Sequence, residues 1–253
     1  MAVLGATAVR RLGRRARTVM TVTENQKRLV IVGATGMVGG YALRYALDHP
    51  AVELVTTIGR RKIGVLHSKL NEVLHQDFAD CSALADVLSH QDAAVFCLGT
   101  YTGSVAGAEL RTITAGYTIE FARVLRTSSP TAAFSFLSGS GADPTGRSRI
   151  AFARYKGEAE KALLASGFPC VYIFRPAYIY PVQPRKEPNL SYRLLRAIYP
   201  AFSVLFPNQV IRADDLARAM VDVVVRVGQE SRSLVSENRD IRAIVRSVHP
   251  QIE

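Results

Sequence analysis

The sequence has few cysteines, no long hydrophobic run and a shortage of acidic residues. No run approaches the roughly eighteen uncharged apolar residues that a transmembrane helix requires, so no membrane span is expected. The three cysteines, Cys81, Cys97 and Cys170, are isolated in the sequence, which suits a reducing compartment. Neither Cys-x-x-Cys nor His-x-x-x-His occurs, so no metal site is expected.

The shortage of acids gives a formal net charge of +11, and five of the positive charges are arginines of residues 1–23. Three interpretations of this acid-free segment stay open: a mitochondrial-type presequence, an over-long gene start with Met20 as the real beginning, or a basic arm that touches nucleic acid. In each case residues 1–25 are predicted to be a disordered tail. The other basic residues are scattered without interleaved aromatics, so no nucleic-acid partner is expected.

A length of 253 residues and a hydrophobic fraction of 48% are enough for one large domain with a sizeable core. We expect that domain to occupy residues 26–253. With no membrane span, a cytoplasmic location is expected, or a mitochondrial one if residues 1–23 are a presequence.

One glycine-rich turn organises the chain. Residues 29–32 form a β-branched apolar run typical of a strand buried on both faces, and residues 41–48 have apolar residues at helical spacing. Gly33 lets the chain leave the strand tightly, Gly36 lets the backbone approach a pyrophosphate, and Gly39 lets the helix pack close on the strand. The free N–H groups of the helix start would then face the anion. A tight turn without a ligand is the alternative. The turn reads Gly33-Ala34-Thr35-Gly36-Met37-Val38-Gly39.

The second strand, predicted over residues 53–58, ends in a basic run, Gly59-Arg60-Arg61-Lys62. A site that prefers NAD usually has an acid here, on the ribose 2′-hydroxyl. Arginine can instead hold a 2′-phosphate with a planar, charge-assisted pair of hydrogen bonds. The sequence therefore predicts NADP(H), with NAD(H) less favoured, and Arg60 and Arg61 as anchors. The alternative is a solvated charge run.

Further strands and helices alternate along the chain, which indicates an α/β fold, a doubly wound parallel sheet with its ligand crevice at the carboxyl ends of the strands. The remaining strands are predicted over residues 73–76, 93–98, 134–137 and 171–174. The remaining helices are predicted over residues 82–88, 107–125, 150–160 and 210–220, with a last small element whose helix begins at Asp240.

Three later motifs carry a family resemblance: Ser138-Gly-Ser-Gly-Ala-Asp143, Lys156-Gly-Glu-Ala-Glu160 and Phe174-Arg-Pro176. Together with the glycine turn they resemble the Tat-interacting-protein-like subgroup of the atypical short-chain dehydrogenase/reductases, over residues 28–227. The resemblance implies a Rossmann-type fold and NADP(H) binding, in a subgroup that includes both reductases and regulatory proteins.

The resemblance also implies which residues bind the cofactor. Asp77 would hydrogen-bond the adenine amino group, Gly99 would let the second ribose lie against the backbone, and Lys156 would bind the nicotinamide ribose. The backbone at Pro176 would border the nicotinamide. The full implied set is Gly33, Thr35, Gly36, Met37, Val38, Gly39, Arg60, Arg61, Asp77, Phe78, Leu98, Gly99, Thr100, Lys156 and Pro176.

The catalytic residues depart from the family's pattern at one position. Active members have a Tyr four residues before the Lys, whereas this chain has Phe152 before Lys156. Tyr155 is adjacent to Lys156 in the sequence but lies about 100° round the helix from it, so it should not reach the point that the family's Tyr reaches. Ser138 or Ser140 can supply the family's serine hydroxyl. Because Phe has no proton to transfer, ordinary carbonyl reduction is in doubt.

Two classes of function therefore stay open. The first is an oxidoreductase that acts on an unidentified small molecule; the second is an NADP(H)-sensing regulatory or assembly protein with a protein partner. The family resemblance places a substrate lid at about residues 182–209. That region could instead rest peripherally on a membrane surface or pack as a helix on the sheet.

Overall fold

The computed structural model describes residues 26–100, 105, 107–183, 207–226 and 233–248. The predicted tail, residues 1–25, lies outside the described residues, as does most of the predicted lid, residues 184–206.

The core of the fold is a seven-stranded sheet in which every paired strand runs parallel to its neighbour. Its strands are β1 (Lys27–Val32), β2 (Val52–Gly59), β3 (Leu70–Leu74), β4 (Ala93–Phe96), β5 (Ala133–Leu137), β6 (Val171–Arg175) and β9 (Leu234–Glu237), in the order β3-β2-β1-β4-β5-β6-β9. A small parallel pair consists of β7 (Tyr178–Tyr180) and β8 (Val210–Arg212).

Helices cover both faces of this sheet. They are α1 (Met37–Asp48), α2 (Gly107–Arg111), a π-helical segment (Thr112–Gly116), α3 (Tyr117–Ser128), α4 (Ala151–Ala165), α5 (Ala213–Val225) and α6 (Asn238–Val248), with 3₁₀ turns at Ser82–Leu84 and Pro207–Gln209. The α/β, doubly wound parallel sheet expected from the sequence is confirmed.

The apolar sequence of β1 explains the two layers. Leu29 and Ile31 belong to the core that includes α1 and α5, whereas Val30 and Val32 belong to the core that includes α3 and α4. All four side chains have no solvent exposure. Because successive side chains of a strand point to opposite faces, a strand covered on both sides must be apolar at every position.

Several predicted boundaries differ from the structure. The strand predicted over residues 73–76 lies at Leu70–Leu74, because this edge strand is only half-buried and its apolar pattern is weak. The helix predicted over residues 82–88 is reduced to the 3₁₀ turn Ser82–Leu84, although Asp80 does accept the Ser82 N–H at 2.9 Å. Only Leu84 and Leu88 of this short segment are buried hydrophobics, which is too little to hold a longer helix.

The carboxyl-terminal elements also differ. The segment 210–220 begins as strand β8, and its helix starts only at Ala213. Helix α6 begins at Asn238, so Asp240 is not its N-cap. Asp240 lies within the first turn, and its carboxylate accepts the Glu237 N–H at 3.0 Å, as the third helical residue does in a capping box. Strands β7 and β9 were not anticipated.

The strand order positions the site. The chain goes outward from β1 to β2 and β3, and then returns to β4 on the other side of β1. The carboxyl ends of β1 and β4 therefore flank the point where the order reverses, which is where open α/β sheets bind ligands. The glycine turn, the segment after β4 and the start of α1 all meet there.

Candidate cofactor and active site

The glycine turn is shaped by close backbone contacts. Gly33 has φ +86°, and a Cβ on it would lie 2.8 Å from the backbone C of Cys97 and N of Leu98. A Cβ on Gly39 would lie 2.3 Å from the Gly33 carbonyl oxygen. Gly39 therefore packs against the turn itself, not against the strand as the sequence suggested.

The start of α1 leaves N–H groups available to an anion. Gly36 is the N-cap, has no side chain to cap the helix, and its N–H donates to the Gly33 carbonyl at 2.9 Å. Its φ of −79° is ordinary, so its role is the missing side chain. Thr35 is exposed, Met37 is half-buried and Val38 is buried, so Val38 can offer a ligand only its backbone.

A cleft of about 470 Å³ opens beside this turn, between the ends of β1, β2, β3 and β4. Arg60 and Arg61, both exposed, contribute to its wall directly after β2. Sequence reasoning missed Thr57 and Glu72, since neither belongs to a recognisable motif. The lining residues are Gly33, Ala34, Thr35, Thr57, Ile58, Gly59, Arg60, Arg61, Ile63, Glu72, Val73 and Leu98.

Asp77, which the resemblance assigns to the adenine, and its neighbour Phe78 lie outside the lining of this cleft. Asp77 is exposed, and its Oδ1 accepts the Ala79 N–H at 2.9 Å, which leaves its other oxygen for a ligand. The Phe78 side chain is fully buried, with its ring centroid 5.9 Å from that of Tyr117. Phe78 is thus a core residue that could touch a ligand only through its backbone.

The segment after β4 has a looser geometry than expected. Leu98 is half-buried and lines the cleft, and Thr100 is half-buried. Gly99 is exposed, and no atom of the described residues would lie within 4 Å of a Cβ there, so no contact within that part of the chain requires glycine at this position. Across the crevice, Pro176 is buried and its carbonyl accepts the Ser140 N–H at 2.8 Å.

Lys156 is a buried cation at the end of β5. Its side chain comes from α4, its Nζ donates to the Leu137 carbonyl at 2.7 Å, and the residue is 5% exposed. The ammonium lies 4.6 Å from the ring centroid of Phe136 and 5.9 Å from that of Phe152. Desolvation lowers the pKa of Lys156 from 10.5 to about 8, although the nearby Glu160 opposes this shift.

Phe152 and Tyr155 on α4 contact different parts of the protein. Phe152 lies one turn before Lys156 and approaches Gly139, where a Cβ would be 3.2 Å from the ring atom Cε1 of Phe152. Tyr155 packs on the core that includes α3, with the Arg154 guanidinium 5.8 Å from its ring centroid. Tyr155 therefore has a packing role on that core.

Ser138 is engaged in a buried network that the sequence did not reveal. Its hydroxyl donates to the carboxylate of Glu160, and Arg175 donates to both oxygens of the same carboxylate, with Nε to Oε1 at 3.0 Å. Ser138 and Glu160 are 6% and 1% exposed. The Ser138 proton is thus already used, whereas Ser140 is exposed and has the freer hydroxyl.

The remaining motif residues have structural roles. A Cβ on Gly157 would lie 2.0 Å from the backbone C of Asp143, so only glycine lets this loop cross α4. The Asp143 N–H donates to the Ala153 carbonyl at 2.8 Å. The hydroxyl of Thr145 and the N–H of Ser148 hold the pKa of the Asp143 carboxyl at about 2.

The described residues form neither a metal-binding cluster nor a membrane-spanning helix. No group of three or more His, Cys, Asp or Glu side chains within the described ranges could hold a metal ion. Within the same ranges, no helix has the length and apolar character needed to cross a membrane.

Comparison with known proteins agrees with this geometry. The model of the NAD-dependent epimerase/dehydratase family matches residues 29–151. Protein fmp52, mitochondrial, of Aspergillus clavatus is 31% identical over 202 residues, which cover 77% of this chain and 85% of the relative. Protein HTATIP2 of Rattus norvegicus is 26% identical over 220 residues, covering 85% and 88%. Among solved structures, the Bordetella bronchiseptica enzyme WbmH in complex with NAD⁺ superimposes with a TM-score of 0.62 at 17% identity, covering 88% and 80%.

The fold is that of a Rossmann-type α/β protein. Within that class, the chain belongs to the atypical short-chain dehydrogenase/reductases, in the family of the fmp52 proteins, and HTATIP2 is a more distant relative. The family resemblance drawn from the sequence motifs is confirmed. The expectation of a cytoplasmic location is wrong, because several fmp52 relatives at about 30% identity are named mitochondrial.

The burial of Lys156 predicts a pH dependence of stability. Its folded pKa of about 8 lies below its ordinary value of 10.5, so between these values the unfolded chain binds one more proton than the folded chain. The free energy of unfolding of the wild type relative to Lys156→Met should therefore rise between pH 8 and 10.5, by at most about 1.4 kcal/mol per pH unit. Urea unfolding at several pH values measures this difference. Lys161→Met, on an exposed side chain of the same helix, is the control, and parallel stability curves for Lys156→Met and wild type would contradict the prediction.

Proposed function

We propose that this protein binds NADP(H) in preference to NAD(H) and acts as an oxidoreductase on a small molecule. The observation that carries the proposal is the arrangement of three elements at one crevice: the glycine turn, the arginines after β2 and the buried Lys156 at the end of β5. A dinucleotide laid across the carboxyl ends of the strands would meet the arginines at its adenosine end and Lys156 at its nicotinamide end.

The preference for a 2′-phosphate rests on charge. Arg60 and Arg61 both line the cleft, and no described carboxylate pairs with either guanidinium. Two planar cations at the end of β2 suit a phosphate better than a neutral hydroxyl. The bound cofactor would supply a hydride, and Lys156 would hold its nicotinamide ribose and remain a buried cation near the reacting group.

A catalytically weak, cofactor-sensing regulatory protein is the second candidate. It is favoured by Phe152, which has no proton to give, and by Ser138, whose hydroxyl already donates to Glu160. Such a protein would bind the cofactor through the glycine turn but would lack a proton donor for reduction. It would signal the level of NADP(H) by binding a protein partner. Peripheral contact with a membrane is a further proposal about the lid region.

The location follows from the relatives. Because fmp52 proteins are named mitochondrial, we propose that this chain is mitochondrial too, which agrees with the presequence interpretation of residues 1–23. Fractionation of cells that express the full-length tagged chain tests this proposal, and recovery in the cytosolic fraction alone would refute it.

Replacing both arginines tests the cofactor preference. The wild type should bind NADPH at least about tenfold more tightly than NADH, since a bidentate charged contact contributes roughly 1.5–3 kcal/mol. Arg60→Ala combined with Arg61→Ala should remove the preference and leave NADH affinity nearly unchanged. Titration by cofactor fluorescence measures both dissociation constants. Lys62→Ala, an exposed neighbour that does not line the cleft, should keep the preference. Equal affinities of the wild type for NADPH and NADH would refute the proposed cofactor preference.

Phe152→Tyr tests whether the missing acid limits turnover. The new phenol oxygen would lie one helical turn from Lys156, whose positive charge should lower the phenol pKa. Because general acid catalysis contributes about 10²–10⁴-fold, NADPH-dependent reduction of a generic dicarbonyl or quinone should rise in this variant. The rate of NADPH oxidation under saturating cofactor is the measurement.

Tyr155→Phe is the matched control for this experiment, since Tyr155 packs on the core that includes α3 and the loss of its hydroxyl should change the rate little. Loss of wild-type turnover in Tyr155→Phe would show that Tyr155 is the acid after all. Tight NADPH binding without turnover in the wild type and in Phe152→Tyr would favour the regulatory candidate.

A further inference from the structure

One wall of the cleft beside the arginines carries a negative charge. Glu72, from β3, is the one acidic side chain among the described residues that line this cleft. It is half-buried, and its Oε1 accepts the backbone N–H of Ile63, which follows the arginines in the chain. No strand–turn–helix motif contains Glu72, so it has no role in the function proposed so far.

The hydrogen bond from Ile63 is part of a set that fixes the segment between β2 and β3. The Gln76 side chain donates to the Arg60 carbonyl at 2.9 Å, and the His75 N–H donates to the Gly59 carbonyl at 3.0 Å. Glu72 holds the other end of the segment through Ile63. The two arginines therefore project from a backbone that β3 and the residues after it hold at both ends.

The same cleft presents groups of both signs to a ligand. Glu72 forms no ion pair with a basic side chain of the described residues. Thr57 is 1% exposed and also lines the cleft, and its Oγ1 has no hydrogen-bond partner among the described residues. A buried hydroxyl without a partner costs free energy until a polar ligand supplies one. The cleft thus has polar atoms ready for a sugar or phosphate.

We propose that Glu72 is a positioning and specificity-determining residue of this cleft, in which the adenosine 2′-phosphate of the cofactor would bind. Through Ile63, its carboxylate holds the segment that carries Arg60 and Arg61. Its negative charge opposes a 2′-phosphate in the same cleft, so Glu72 limits the preference that the two arginines create. The proposal rests on the function proposed above, because it concerns the adenosine half of the same cofactor.

The two roles of Glu72 can be separated by two substitutions in the full-length protein. Glu72→Gln keeps a side-chain oxygen that can accept the Ile63 N–H but removes the charge, whereas Glu72→Ala removes both. The probes are 2′,5′-ADP and 5′-AMP, which differ by the 2′-phosphate and contain no nicotinamide. Isothermal titration gives the ratio of their dissociation constants, and hydrogen exchange of the ligand-free protein reports the Ile63 amide. Glu53→Gln is the matched control, because Glu53 is exposed near the opposite end of β2.

In Glu72→Gln, the preference for 2′,5′-ADP over 5′-AMP should rise by about threefold to fivefold. This is the effect expected from two unit charges a few ångströms apart in water. The Ile63 amide of Glu72→Gln should exchange as in the wild type. In Glu72→Ala that amide should exchange faster, and the affinity for 2′,5′-ADP should be lower than in Glu72→Gln. Glu53→Gln should match the wild type in both measurements.

Each other outcome has a definite meaning. If the wild type binds 2′,5′-ADP and Glu72→Gln leaves the ratio unchanged, the charge of Glu72 has no part in discrimination and this proposal is overturned alone. Unchanged exchange of the Ile63 amide in Glu72→Ala overturns the positioning role. If the wild type binds neither probe, the proposed NADP(H) function and the role of Glu72 are overturned together.

Discussion

The structure depends on the close approach of three backbone segments at the end of β1. Gly33 takes a left-handed conformation there, and its missing side chain leaves room for the backbone at Cys97 and Leu98 after β4. Gly39 lets the first turn of α1 lie directly on the Gly33 carbonyl. Any side chain at Gly33 would force β4 or α1 outward, so this contact fixes both the crevice and the direction of the helix N–H groups.

The second half of the site depends on a contact of the same kind. The loop after β5 crosses α4 at Gly157, where the Asp143 backbone leaves no room for a Cβ. This crossing keeps the loop of Ser138 and Ser140 beside the face of α4 that carries Phe152, Lys156 and Glu160. Since these residues are four apart, they lie along one side of the helix.

Sequence reasoning succeeded where a local pattern has one physical solution. A short apolar run such as residues 29–32, rich in β-branched residues and followed by a glycine turn, favours a strand covered on both faces. It failed where the outcome depends on distant contacts. The edge strand β3 has no buried side chain, and Asp240 could cap from outside the helix or from within its first turn. The partners of Glu160 and Glu72 come from other elements, so no spacing along the chain could reveal them.

The protons available near Lys156 define what this crevice can do. In a reducing site of this kind one side chain must give a proton to the substrate oxygen while another steadies it. Here the phenyl ring of Phe152 has no acidic proton, and the hydroxyl proton of Ser138 is committed to a carboxylate that Arg175 holds from the other side. Two other proton donors that the described residues place at this site are the exposed hydroxyl of Ser140 and the ammonium of Lys156, whose pKa of about 8 brings its titration near neutral pH. The glycine turn and the arginine-lined cleft are present, whereas Phe152 stands where the family pattern has a tyrosine. In the proposed function, cofactor binding and proton transfer thus depend on separate residues, and the departure from the family pattern affects proton transfer.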